Sequence, residues 1–441
     1  MAMDGQNGSA RGRAIPHLRW WICGLLFAST VINYVDRQTL AWLAPYLKQD
    51  YRWTNTDYAN IIIGFRVAYA IGQSAWGRLI DRIGTRRGLS LSVLWYSVVS
   101  IFTPLARGLY SFASFRFLLG GAESGNWPGA TKAVSEWFPK RERGLATALF
   151  DSGSSIGGAI APYLVVPVYL RWGRGPAFVI PGLLGFVWLM VWRRSYYRPQ
   201  EHPRISESER QMILDDTRDL HADEGEAKTS WARLLKLPQA WGVIVAKGLT
   251  DPVWFFVTDW FPIYLVAKGI SLKSSLLAVW IPFIASDLGN FFGGAASGYL
   301  IRRGWPLGAA RKAVVVFGGF GVLLLIPTVL TFNLWAIAGL FALATFSYAS
   351  FSTIANVLPS DLFKSDAVAS VSGMSGTGAG IGTIIAFELI GHFSDARRSA
   401  GTHSFDPIVI AAGLVPFIGM VLVLLLVRNT RATEEGLVRR V

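Results

Sequence analysis

Twelve apolar runs, each long enough to cross a bilayer as a helix, dominate this chain. They fall near residues 20–47, 57–76, 88–106, 111–132, 143–170 and 176–195, and again near 240–267, 275–301, 312–331, 333–357, 367–392 and 405–428. A hydrocarbon core about 30 Å thick needs about 20 helical residues, at about 1.5 Å of rise each. A membrane barrel would show short alternating strands instead. Only 16% of the residues are charged and 52% are hydrophobic, where a soluble domain carries about 25% charged. The chain therefore reads as an all-α integral membrane protein with twelve transmembrane helices in two six-helix bundles.

The polar stretch 196–239 divides the runs six and six. The expected organisation is an N-terminal bundle over 1–195, a solvated linker over 196–239 and a C-terminal bundle over 240–441. Ser206 and Glu209 have the spacing of a capping box, which predicts a surface helix near 207–219. The net charge of +14 sits largely in short loops, at Arg78, Arg82, Arg86 and Arg87, at Lys140, Arg141 and Arg143, and at Arg302, Arg303, Arg311 and Lys312. The excess of basic residues in cytoplasmic loops accounts for this, so nucleic acid is not an expected partner. These loops, the linker and both basic termini are assigned to the cytoplasmic side of a bacterial inner membrane. The opposite loops carry a smaller set, including Lys48, Arg52, Arg171, Arg174, Arg397 and Arg398.

The single cysteine, Cys23, permits neither an intramolecular disulfide nor a cysteine metal site. No nucleophile or metal constellation and no phosphate-binding loop stands out, so neither an enzyme, a cofactor nor ATP drive is expected. A monomer is expected. The basic N-terminal segment runs into a span too long for a signal-peptide core and reads as a retained first helix.

An internal repeat supports two related halves. GRLIDRIGTRRG (77–88) follows the second run and GYLIRRGWPLGAARK (298–312) follows the eighth. SGSSIGGAIA (152–161) and SGTGAGIGTIIA (375–386) form a second, weaker pair. Parallel repeats of this kind build one large class of carriers, with the site between the halves.

Asp36 and Arg37 lie deep inside the first run. Each charge at that depth costs at least about 2.5–3.5 kcal/mol, so a function facing a polar cavity is the default reading. Neighbouring positions project about 100° apart, so the two residues need different partners. Arg37 is the candidate cation for an anionic substrate, because a guanidinium stays charged and grips a carboxylate with two parallel hydrogen bonds. Permanent neutralisation by Asp36 or Glu123 is the competing account. Proton coupling needs a carboxylate whose ionisation follows its solvation, and Asp36 and Glu123 are the candidates. Arg116, two turns before Glu123, is either their counter-charge or a residue of the helix end. Tyr34 shares a face with Arg37, and Tyr69 shares one with Gln73. Asn356, Ser372 and Ser375 offer hydroxyl partners from the second half, or glue between helices.

The loop 77–87 resembles the signature G-x-L-x-D-R-x-G-R-[RK] of the major facilitator superfamily. NYVDRQTL (33–40), FRFLLGGAESGNWPG (115–129), FDSGSSIGGAIAP (150–162) and LPSDLF (358–363) are similar to the anion:cation symporter family within it. TDPVWFFVTDWFPIYL (250–265) and SDLGNFFGGAASGYLIRRGW (286–305) look most like its hexuronate transporters. The resemblance implies uptake of a small carboxylate, most closely a hexuronate, together with protons. It implies that Arg37 grips the substrate carboxylate, that Asp36 and Glu123 take protons, and that Tyr34 and Tyr69 line the cavity. It gives Asp81 an interdomain gating contact, and Arg82 and Arg116 are grouped with it as gating residues. A carrier for an aldonate, aldarate or aromatic acid, and a membrane sensor derived from a carrier, are the alternatives. Asp151 departs from the pattern, which commonly has Asn there, and places a further negative group near an anion path.

Overall fold

The computed structural model describes residues 14–53, 55–221, 230–261, 264–265, 268–270, 276–396 and 405–427. The basic residues of both chain ends and Arg397 and Arg398 lie outside the described residues. The first half comprises α1 (Leu18–Tyr51), α2 (Asn55–Ile83), α3 (Thr85–Phe102), α4 (Leu109–Glu123), α5 (Asn126–Trp137), α6 (Lys140–Trp172) and α7 (Arg174–Ser195). A surface helix, α8 (Glu207–His221), and one turn, α9 (Trp231–Leu234), lead to the second half. That half comprises α10 (Pro238–Asp259), α11 (Leu276–Arg302), α12 (Leu307–Val322), α13 (Leu334–Leu362), α14 (Val368–Ala396) and α15 (Asp406–Leu426). With α4 and α5 taken as one broken span, each half has six spans. Among the described residues, nine stretches are long and apolar enough to cross a membrane on length and composition alone. Leu183, Val187, Met190 and Val191 of α7 and Ile384, Ile385 and Leu389 of α14 point outward, as lipid-facing side chains do.

Two proline effects shape the spans. The fourth run is not one helix: α4 stops at Glu123 and α5 starts at Asn126. The ring of Pro128 opposes the carbonyl four residues earlier, at Ser124, and has no N–H to give it. The eight-residue 3-10 segment Leu323–Leu330 after α12 has the same origin, since Pro327 cannot bond to the carbonyl of Leu323.

Each half has its own apolar core, in two layers. In the first half one layer holds Leu26, Val93, Trp137 and Phe150, and the other holds Leu40, Leu47, Phe112 and Phe178. In the second half one holds Val243, Ala246, Val314 and Phe351, and the other holds Val253, Phe256, Leu325 and Phe341. Asp36 and Arg37 fall between the layers along α1, and Lys247 and Asp251 fall between them along α10. A small cluster of Trp76, Ile80 and Ala369 bridges the halves.

The helix expected at 207–219 is present, but the linker is not simply solvated. Tyr196, Ile205 and Ile213 are buried in the first half's core. Glu209 accepts from the backbone N–H groups of Leu18 and Arg19 at 3.0 and 3.2 Å and from Arg19 Nη1 at 2.7 Å. Half of the predicted capping box forms, with the Glu209 N–H donating to Ser206 Oγ at 3.3 Å. The Glu209 carboxylate is spent on α1, where it satisfies N–H groups that the helix start leaves unpaired and complements its dipole.

The helices that carry the repeated segments meet across the halves. Gly77 on α2 lies so close to α14 that a β-carbon there would stand 2.2 Å from the Ala369 carbonyl oxygen. Gly294 on α11 lies against α6, where a β-carbon would stand 2.4 Å from the Gly144 carbonyl oxygen. Thus α2 crosses α14 and α11 crosses α6, and each repeat unit packs on the second unit of the other half.

Candidate functional site

Asp36 and Arg37 do have different partners. Arg37 Nε donates to Glu123 Oε2 at 3.0 Å and Nη2 donates to Asn33 Oδ1 at 3.3 Å. Its guanidinium carbon sits 4.7 Å from the ring centre of Tyr34, 5.1 Å from Phe65 and 4.6 Å from Tyr69. Three π faces hold a planar cation, each favourably when water is excluded. The Arg37 side chain remains 22% accessible while Glu123 is 0% accessible, so the cation faces open space and its acid sits behind it.

Glu123 is positioned by the helix break just after it. Asn126, at the start of α5, accepts from Ser29 Oγ at 2.7 Å and donates to Thr30 Oγ1 at 3.1 Å, tying the break to α1. Trp76 Nε1 donates to the Gly121 carbonyl at 2.7 Å and fixes the same turn from α2. Asp36 is 1% exposed and accepts from the Ser100 hydroxyl of α3. Arg116 lies within reach of the charges of Asp36 and Glu123 and donates to the Arg37 carbonyl at 3.2 Å. It is an internal counter-charge of this cluster. It sits in this cluster, away from the Asp81 contacts with which it is grouped in the expected gate. Glu123 Oε1, Asn33 Nδ2 and Arg116 Nη2 are buried and have no hydrogen-bond partner among the described residues. Buried polar atoms of that kind are uncommon and need an explanation.

Gln73 lies one turn from Tyr69 but goes to the α2–α14 crossing, where its amide fills the space over Gly376. Ser372 is buried and donates to Thr131 Oγ1 on α5 at 3.3 Å, and Ser375 donates to the Ser372 carbonyl at 2.8 Å. Asn356 is buried on α13. None of these four is brought against Arg37 by the hydrogen bonds or ring contacts described here.

Asp81 caps α14. Its carboxylate accepts from the N–H groups of Ala369 at 3.2 Å and Ser370 at 2.6 Å, and pairs with Lys132 of α5 at 2.8 Å. Helix N-termini present such N–H groups to an anion. Lys132 was not singled out in the sequence, and Arg82 lies exposed beside the contact. The matching place in the second half carries Arg302 instead of an acid, and Asp361 does the corresponding work. Asp361 accepts from Arg143 Nη1 at 3.0 Å and from Arg311 Nε at 2.8 Å, with all three side chains at most 1% accessible. Arg311 also donates to the Lys140 carbonyl at 2.8 Å, across the halves. Both ties lie at the end of the bundle that carries the linker and join the two halves there. On the other side of the site, Arg66 of α2 lies over Phe255 and Phe387 of the second half, at 5.5 and 5.1 Å.

Comparison with known proteins agrees with this architecture. The family model described as Major Facilitator Superfamily matches residues 26–387. The "Hexuronate transporter" of Escherichia coli (strain K12) is 30% identical over 426 residues, covering 96% of this chain and 97% of that protein. The "Galacturonate transporter" of Dickeya chrysanthemi is 33% identical over 307 residues, covering 69% of this chain and 89% of that protein. The "Probable galactarate/D-glucarate transporter GarP" of Escherichia coli (strain K12) is 29% identical over 439 residues, covering 95% and 96%. A solved structure of the proton:xylose symporter XylE bound to 6-bromo-6-deoxy-D-glucose superposes with a TM-score of 0.70, covering 91% of this chain and 94% of that one at 13% identity. By the extent of the family match and by these full-length likenesses, the chain belongs to the major facilitator superfamily and is a membrane transport protein rather than an enzyme.

Proposed function

We propose that this protein is a proton-coupled symporter that imports a sugar acid, most closely a hexuronate, across the bacterial inner membrane. The observation that carries the reading is Arg37, held among Tyr34, Phe65 and Tyr69 with part of its surface open and Glu123 on its far edge. The rings leave the edge of the guanidinium to an incoming carboxylate, and their own faces suit the apolar side of a sugar. The named substrates of the similar proteins support the same class of ligand. Their spread over uronates and aldarates keeps a carrier for another sugar acid as the second reading.

The coupling follows from charge. One guanidinium in a low-dielectric site does not hold two carboxylates at once without repulsion between them. Substrate binding at Arg37 therefore favours a proton on Glu123, with Asp36 and Arg116 setting the field from behind. Asp81 and its partners close the linker end, assigned to the cytoplasm with both termini, while the substrate enters from the other side. The protein acts as a monomer.

The test is uptake of labelled glucuronate into proteoliposomes under an inward proton gradient. Accumulation that collapses with the gradient is expected, and its absence for uronates, aldonates and aldarates alike overturns the reading. In the same vesicles, Glu123→Gln should keep exchange of glucuronate across the membrane but lose gradient-driven accumulation. Binding to the wild type should strengthen as pH falls, and binding to this variant should not. Accumulation by this variant at the wild-type level would remove Glu123 from the coupling.

A further inference from the structure

The second half has a charged layer of its own, facing the Arg37 site. Lys247 and Asp251, one turn apart on α10, pair at 2.8 Å with side chains 8% and 14% accessible. The Tyr348 hydroxyl on α13 donates to Asp251 at 3.4 Å, and its ring lies parallel to Trp254. Asp287 on α11 accepts from Ser155 of α6 at 2.7 Å. Asp151 lies one turn before Ser155 on α6, partly exposed, and its carboxylate has no hydrogen bond or ion pair among the described residues. It lies within electrostatic reach of Tyr34, and so of the Arg37 box, on one side. On the other side it faces Lys247, Asp251 and Asp287.

The two walls differ in charge. Around Arg37 there are two cations and two acids: Arg37, Arg116, Asp36 and Glu123. Around Asp151 there are three acids and one cation, and the cation is already paired with Asp251. A sugar acid anchored at Arg37 and reaching toward α6 and α10 sets its far end against that acid-rich wall. Hydroxyl groups suit it, since the carboxylates accept from them and the Lys247 ammonium donates to them. A second carboxylate meets repulsion there, since the one cation among these four described side chains is already paired with Asp251.

We propose that Asp151 is a specificity-determining residue that lets this carrier take sugar acids with one carboxylate and turn away those with two. The inference rests on Arg37 holding the first carboxylate, as in the function proposed above. Asp151 sets a carboxylate between the Arg37 box and the Lys247–Asp251 pair, on the path of a ligand that extends from Arg37 toward α10. With no tying hydrogen bond among the described residues, its carboxylate is not spent on a neighbouring helix.

The experiment measures binding of glucuronate and glucarate to the purified full-length protein and to Asp151→Asn and Asp151→Glu. The wild type should prefer glucuronate by about tenfold or more. Asp151→Asn should narrow that preference about tenfold by tightening glucarate, with glucuronate little changed, and Asp151→Glu should restore it. A ratio taken within one folded protein is insensitive to a general loss of stability, and Asp151→Glu shows whether charge or shape is read. An unchanged ratio in Asp151→Asn, or equal affinities in the wild type, overturns this inference alone. If the wild type binds neither acid, the sugar-acid reading itself falls, and this inference with it.

Discussion

Arg37→Ala should weaken glucuronate binding by about a hundredfold or more and abolish uptake. A charge-assisted contact contributes about 1.5–3 kcal/mol, and a two-pronged one lies at the upper end or above, with each 1.4 kcal/mol worth tenfold. The substitution also leaves Glu123, 0% accessible, without its cation, so the acid adds repulsion toward an anion or must take up a proton first. Arg37→Lys discriminates further. A lysine keeps the charge but loses the planar fork and the stacking among Tyr34, Phe65 and Tyr69. Its binding should fall between the wild type and the alanine variant. Titration calorimetry on purified protein measures this directly, with thermal unfolding as a control for folding. If folded Arg37→Ala binds uronate as tightly as the wild type, another cation holds the carboxylate and the account of the site is wrong.

Much of the architecture was legible because membrane spans announce themselves through length and apolarity. The break in the fourth run was available too, in Pro128, yet an apolar count alone passes over it. The centre of the site was legible for a similar reason: a charge inside an apolar run is costly enough to be conspicuous, so Asp36, Arg37 and Glu123 stand out. Phe65 and Ser100 do not, because an aromatic or a serine in a span has a bland explanation, and only packing shows which one faces a guanidinium. Lys247 belongs with the conspicuous group by charge, but the apolar residues on either side of it mask it in a count of hydropathy. Gln73 is the opposite case. Helical spacing placed it on the face of Tyr69, but α14 approaches that turn through Gly373 and Gly376 and takes the amide for itself. The pairing of Asp81 with Lys132, 51 residues on, has no local sequence signal. Nor does the docking of the linker, where Glu209 serves α1 across 190 residues.

Asp361→Ala should be the most damaging single change outside the substrate site. Asp361 is the one acid shared by Arg143 and Arg311, and its removal leaves two guanidinium groups buried side by side. Breaking a buried pair by removing one partner costs about 3–5 kcal/mol, and here two cations are stranded. Arg143→Met is the informative contrast, because it leaves Asp361 and Arg311 as a balanced pair and should lower the melting temperature much less. Asp361→Ala should also loosen the linker end, since the two guanidinium groups it holds join the halves there, Arg143 reaching from α6 to the Ser360 carbonyl and Arg311 reaching back to the Lys140 carbonyl, both at 2.8 Å. The chain supplies a quiet background for measuring this, as its only cysteine, Cys23, is buried. A cysteine placed at Ser372, buried two residues beyond the Asp81 contact at Ser370, should resist a membrane-impermeant thiol reagent in the wild type and react in the Asp361→Ala protein. Equal labelling and an unchanged melting temperature in the two would mean that the buried triad neither stabilises the fold nor holds the linker end shut. Unfolding that affects Asp361→Ala and Arg143→Met equally would instead assign the effect to lost packing rather than to stranded charge.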